Sequence, residues 1–157
     1  MLKAIRRALS AQAGGAPESE SLAGQRHHPV QLAVAVLLHE ARRADSQEGK
    51  GEAEAEVAAL VDLLGLDPAQ AAAVLQEGRA VAQKAVSFYA PVHAIKREFS
   101  PEQRVRLVEH LWRVAFADGQ LNLYEDHYVR KIAHLLYVPN TQTMLARNRA
   151  RDTIAEP

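Results

Sequence analysis

The stretch HLWRVAFADGQLNLYED, His110 to Asp126, decides the fold of this chain. Together with the residues just before it, its apolar positions recur at helical spacing. Val105, Val108, Leu111, Trp112 and Ala115 make one stripe, and Leu107, Val114 and Phe116 widen it. A helix apolar over so much of its circumference is a buried, central one. Asp118-Gly119 ends it, the glycine supplying a left-handed stop. Asn122, with Glu125 three positions on, opens the next helix as a capping box. That helix carries Tyr128, Val129, Ile132, Leu135 and Leu136.

Upstream, Ser100-Pro101-Glu102-Gln103 is another helix start, with serine as cap and glutamine as its partner. Asp67-Pro68 begins a helix carrying Val74, Val81, Ala85, Val86 and Tyr89, which Pro91 is expected to stop. VHAIKREF then makes a short helical or turn segment. GEAEAEVAALVDLLGL puts Val57, Leu60, Val61 and Leu64 on one face with acids opposite, and Gly65 ends it. Before it, VQLAVAVLL, Val30 to Leu38, is apolar nearly all round and forms a second central helix. Downstream of Pro139-Asn140 comes a last, polar helix, TQTMLARNRARD. No segment alternates like a strand over more than a few residues. The expected fold is all-α: a multihelical bundle whose two buried central helices lie near residues 30–44 and 101–117.

The central helices end alike. LLHEARRAD, Leu37 to Asp45, sets against HLWRVAFAD, His110 to Asp118, each closing in Ala-Asp with a leucine (Leu38, Leu111) seven residues before the Asp. Glu52 follows Asp45 by seven residues, and Glu125 follows Asp118 by seven. Leu64-Gly65-Leu66 matches Leu136-Tyr137-Val138 with an offset of one. The domain is therefore read as a duplicated helix–acidic loop–helix unit.

Composition bounds the function. The 157 residues suit one domain, and 48% of them are hydrophobic. Nineteen basic residues balance nineteen acidic ones, which argues against nucleic acid as the main ligand, because phosphate neutralisation needs a basic surplus. Without cysteine there is no disulfide, thiolate nucleophile or zinc–cysteine site, and a reducing cytoplasm is the expected location. No apolar run reaches the roughly 20 residues of a membrane-spanning helix. Residues 1–28 read as a short amphipathic helix, MLKAIRRAL, and a flexible linker. The helix is expected to dock on the domain, with weak attachment to anionic lipid as the alternative. The helical domain is expected over 29–152 and a tail over 153–157.

LLHEARRAD with Glu52, FSPEQRVRLVEHLWRVAFADGQLNLYED and KIAHLLYV together resemble the TerB-like tellurite-resistance proteins, over about Val30 to Arg151. The resemblance implies an all-helical, internally duplicated domain associated with tellurite and general stress resistance. It also implies divalent-cation binding through acidic loop residues, and no particular enzymatic activity follows from it. The first loop departs from the second, since it reads Asp45-Ser46 and continues QEGKG where the second reads Asp118-Gly119.

Two readings of the loops stand side by side. In one, Asp118 accepts main-chain hydrogen bonds in an Asx-turn and Glu125 completes a capping box. In the other, Asp118 and Glu125, and then Asp45 and Glu52, bind Ca²⁺ or Mg²⁺, which favour carboxylate and carbonyl oxygens. An Asp at a helix C-terminus faces the negative end of the dipole, a cost of about 0.3–1 kcal/mol that a cation would offset. The spacing is not that of an EF-hand, whose twelfth position would here be Val129. No nucleophile elbow, phosphate-binding glycine loop or H-E-x-x-H is present, and no catalytic residue is assigned. His127 and His134, seven apart, share one helix face and read as a surface pair. The expected function is thus non-enzymatic cation binding. The alternative is an adaptor whose acidic face recognises an unidentified protein partner.

Overall fold

In the computed structural model the described residues are 18–43, 50–84, 87–117 and 121–155, and side chains are described for all of these except 18–28, 43, 50–52 and 154–155. They form seven α-helices and no strand. These are α1 (Glu18–Arg43), α2 (Lys50–Leu64), α3 (Pro68–Lys84), α4 (Tyr89–Glu98), α5 (Pro101–Phe116), α6 (Leu123–Leu135) and α7 (Asn140–Ala155). The all-α class and the two central helices are as the sequence predicts.

Three of the helices begin with the same device. The Oδ1 of Asp67 accepts from Gln70 N–H at 2.8 Å while Gln70 Oε1 accepts from Asp67 N–H at 3.1 Å. Ser100 with Gln103, and Asn122 with Glu125, repeat that reciprocal pair at the heads of α5 and α6. Each pair satisfies two main-chain donors that a helix start leaves without an intrahelical partner. Helix ends also recur. α2 stops at Gly65, with φ 67, and α6 stops at Tyr137, with φ 59. The second end is a Schellman motif, in which Val138 N–H reaches Ala133 O at 2.9 Å and Tyr137 N–H reaches His134 O at 3.1 Å.

Both central helices are covered on most sides. From Leu32 to Leu38 every residue of α1 is buried, which requires neighbours all round it. It meets α2, α3, α4, α5 and α6. Its outlying Leu32 and Val36 form a second small core with Val81 and Ala82 of α3. The α1–α3 approach is close because α3 carries Gly78, where a Cβ would stand 2.5 Å from the Cβ of Ala35. On α5, Leu107, Val108, Leu111, Trp112, Val114 and Ala115 are all buried. α5 packs most extensively on α7. There Trp112 donates its indole N–H to the Thr143 carbonyl at 3.1 Å, over a stripe of Thr143, Ala146 and Ala150. The pairings of α1 with α3 and of α5 with α7 are the two largest in the molecule, so the duplicated unit has three helices, not two.

The structure differs from three sequence expectations. Residues 18–28, read as linker, have helical backbone continuous with α1, with Pro29 inside the helix. Residues 1–17, with the amphipathic segment, lie outside the described residues. Pro91 does not stop the preceding helix. α3 ends at Lys84 and Pro91 sits in the first turn of α4, where its missing N–H would have had no intrahelical partner anyway. Tyr89 consequently opens α4 and is 75% exposed, not part of a core stripe. Finally, α7 runs to Ala155, past the expected boundary at 152.

Leu111, wholly buried in α5, gives the first prediction. Leu111→Ala should cost about 2–5 kcal/mol in denaturant unfolding. An unmoved midpoint would refute the central position of α5.

The two glycines separate conformation from space. A Cβ at Gly65 meets nothing within 4 Å, so Gly65→Ala should cost about 1–2 kcal/mol through its positive φ alone. Gly65→Asn should recover part of that loss, since Asn tolerates the left-handed region. Gly78→Ala should cost about 1–3 kcal/mol by pushing α3 off α1. Equal stability of Gly65→Ala and wild type would refute the conformational account.

Candidate functional site

The second acidic loop is built from the ends of two helices. α5 finishes at Phe116, and Ala117 caps it with its N–H on the Val114 carbonyl at 3.2 Å. Asp118 comes next in sequence and lies outside the described residues, as does Asp45 of the first loop. On the far side, Asn122 begins α6. Its Oδ1 accepts from Glu125 N–H at 2.8 Å, and Glu125 Oε1 accepts from Asn122 N–H at 3.1 Å. The predicted capping box is therefore formed. Glu125 is also completely buried, an unusual position for a carboxylate.

One turn further along the same buried face of α6, Tyr128 donates its hydroxyl to the Leu37 carbonyl at 2.8 Å. This bond sets the head of α6 against the last turns of α1. Burial, with the charge of Glu40, drives the Tyr128 hydroxyl well above its ordinary value, so it stays a protonated donor. On another flank of α1, Arg42 lies 3.5 Å from Glu56 of α2, a glutamate that is 1% exposed. Glu52 stands one turn before Glu56, in the first turn of α2, and only its backbone is described. Thus each of the two units carries a buried glutamate on its second helix, and both of these helices pack on α1. Glu56 was not singled out from the sequence, because EAEAE reads as a solvated acidic face. Among the described residues, no group of three or more His, Asp or Glu is placed to hold a metal ion.

A second polar cluster joins α2 to α5. His110, almost wholly buried, has its Nε2 2.7 Å from Asp62 Oδ2, and Asp62 Oδ1 accepts from Arg106 at 2.6 Å. Burial holds the His110 imidazole below its ordinary value, against the pull of the Asp62 hydrogen bond. The charge of Arg113 adds to the depression, and that of Glu109 opposes it. Asp62 is held below the ordinary carboxylate value, first by the His110 hydrogen bond and then by Arg106. The neutral imidazole therefore donates its Nε2 proton to the carboxylate. Nothing local in the sequence pairs Asp62 with a residue so far along the chain.

A comparison with family models matches residues 31–148 to the family described as tellurite resistance protein TerB. No individual curated protein and no solved structure matches. The matched span runs from the second residue of VQLAVAVLL into α7, and so takes in both acidic loops and both central helices.

The cluster yields a pH prediction. His110 binds its proton more weakly folded than unfolded, so its contribution to stability is present above the unfolded value of 6.5 and is lost as pH falls from there toward the folded value. Asp62 acts with the same sign, losing its contribution below 3.8. Thermal midpoints measured from neutral pH downward should fall in wild type, and His110→Gln should flatten the part of the curve that begins near 6.5. Parallel curves for the two proteins would refute the assignment.

Proposed function

The chain belongs to the TerB tellurite-resistance family, and we propose that it acts in stress resistance as a non-enzymatic domain that binds a hard divalent cation, Ca²⁺ or Mg²⁺, at its second acidic loop. The carrying observation is Glu125. Its carboxylate is buried and fixed by the capping box at the head of α6. Such a group is ordered before a ligand arrives, which lowers the entropy cost of ligation. Asp118 stands just past α5, where the negative end of the helix disfavours a lone carboxylate and favours one sharing a cation. Carboxylates, the Asn122 amide and main-chain carbonyls make an all-oxygen donor set, and a chain without cysteine offers no thiolate. Asp45 and Glu52 form the weaker copy in this proposal, with Ser46 where the second loop has Gly119. The absence of cysteine suits the cytoplasm, where the proposal places the protein.

One observation favours the adaptor reading. Leu123 and Tyr124, the two residues after the cap of α6, are 80% and 75% exposed beside the acidic loop. A partner using the acids as a recognition face would cover this apolar pair.

Thermal unfolding with chelator and with millimolar Ca²⁺, Mg²⁺ or Zn²⁺ tests the cation. Wild type should gain about 2.7 kcal/mol at a hundredfold excess over Kd. Asp118→Asn keeps a turn acceptor but loses the anionic ligand, and should lose most of the gain. Glu125→Gln keeps the cap and should also lose it. Asp45→Asn and Glu52→Gln should show a smaller loss. A midpoint indifferent to every divalent ion would leave caps and turns as the whole role of these acids.

A further inference from the structure

The outward face of α6 carries His127, Arg130, Lys131 and His134, all exposed and none acidic. Asp126, at the edge of that face, is engaged by Arg130 at 2.8 Å and lies 3.7 Å from Arg147. Two contacts make this face continuous with α4. The Lys131 ammonium lies 5.8 Å from the ring centre of Phe88, which caps α4. At the other end Lys96 of α4 lies 4.5 Å from the ring centre of Tyr137, just past α6. Along α4, Tyr89 stacks on His93 with the rings 6° from parallel.

Tyr137 supplies the independent observation. It holds φ 59, a left-handed conformation disfavoured for any residue with a Cβ, and its ring is 74% exposed. The equivalent position in the first unit is Gly65, which takes the same conformation without that cost. The fold does not need a tyrosine there, since glycine ends the duplicate helix. Backbone strain kept at an exposed aromatic side chain points to a use for the side chain.

We infer that the α4–α6 face, from Tyr89 through Lys96 and Tyr137 to Lys131, is a docking surface for an acidic polypeptide segment. Tyrosine rings present flat apolar area with a hydrogen-bonding tip, and they are enriched in protein interfaces. The lysines and imidazoles supply donors for carboxylates. The charge complement is acidic, and the chemistry favours a polypeptide over other anions. A chain of zero formal net charge lacks the basic surplus that phosphate backbones require. The exposed aromatics here are tyrosines, Phe88 is only partly exposed, and Leu123 at the head of α6 is the single exposed leucine of the face, which leaves little apolar area to enter acyl chains. The face lies on the side of α6 opposite buried Glu125, so the inference does not rest on the cation site.

Fluorescence anisotropy of a labelled peptide of alternating glutamate and tyrosine tests it on the full chain. Binding should weaken as NaCl is raised. Lys96→Glu combined with Lys131→Glu should weaken it at least about tenfold, and Tyr89→Ala by about tenfold. Tyr137→Gly is the decisive variant. Its affinity should fall about tenfold while its thermal midpoint holds or rises, which a merely structural tyrosine would not produce. Phosphatidylserine vesicles and an oligo-dT strand serve as competing probes. No peptide binding, binding unaffected by the charge reversals, or tighter binding of vesicles or oligonucleotide through the same residues would overturn the inference. So would self-association of the chain, lost in the charge-reversal variant, in place of peptide binding.

Discussion

Everything in this fold answers to the burial of α1. A helix whose residues from Leu32 to Leu38 are all buried has no face left for water, so it must be enclosed. Removing each large side chain from water is worth about 1.5–3 kcal/mol, and that gain is realised only if neighbours arrive from every direction. One amphipathic partner covers only part of the circumference. This is why α1 touches five helices, and why α3 carries a glycine at its closest approach. The side chain omitted at Gly78 lets α3 reach Val36 and Leu32, which the main core leaves uncovered.

The duplication solves the same problem twice with different chemistry. In the second unit α5 uses Trp112 and a stripe of leucines and valines, and α7 answers with small residues. Thr143, Ala146 and Ala150 let α7 lie close, and the Trp112 indole hydrogen bond fixes its register. Outside that stripe, α7 is held by polar groups. Arg149 pairs with Glu109 of α5, which also binds Arg113, and Arg147 lies over the Trp112 ring. Exposed ion pairs of this kind contribute little each, so the stripe of small residues carries most of the attachment.

That division explains what the sequence reveals. The central helices are legible because Leu, Val, Ile and Trp at helical spacing are unambiguous, and the helix starts because Ser100 with Gln103 and Asn122 with Glu125 are local pairs. α7 looks like a detached polar helix because its buried face is made of alanine and threonine, which hydrophobicity barely registers. The helical backbone at 18–28 is hidden by its Gly, Ser and His content, and Pro91 misleads because proline stops a helix interior but suits a first turn. Of the candidate site, the capping role of Glu125 is written in the sequence. Its complete burial is not, because burial depends on how α6 packs in the fold, where Tyr128 one turn on reaches the Leu37 carbonyl 91 residues away in sequence. The Asp62–His110 pair and the buried Glu56 are illegible for the same reason.

The acid loops acquire their meaning from this arrangement. Glu125 satisfies a helix start whether or not an ion is present, so its position needs no ligand to explain it. What the cap does is fix a carboxylate at one place in the loop, with its charge set against the positive head of α6. Asp118 has the opposite place in sequence, following the C-terminal end of α5. The two acids are thus unequal in position: Glu125 sits where a helix head favours a carboxylate, and Asp118 follows a helix end that disfavours one. Asp45 and Glu52 repeat the spacing in sequence, with Ser46 in the place of Gly119. On the proposed reading a cation would draw the two acids of a loop together, and the loop that must fix less chain to do so would bind it better.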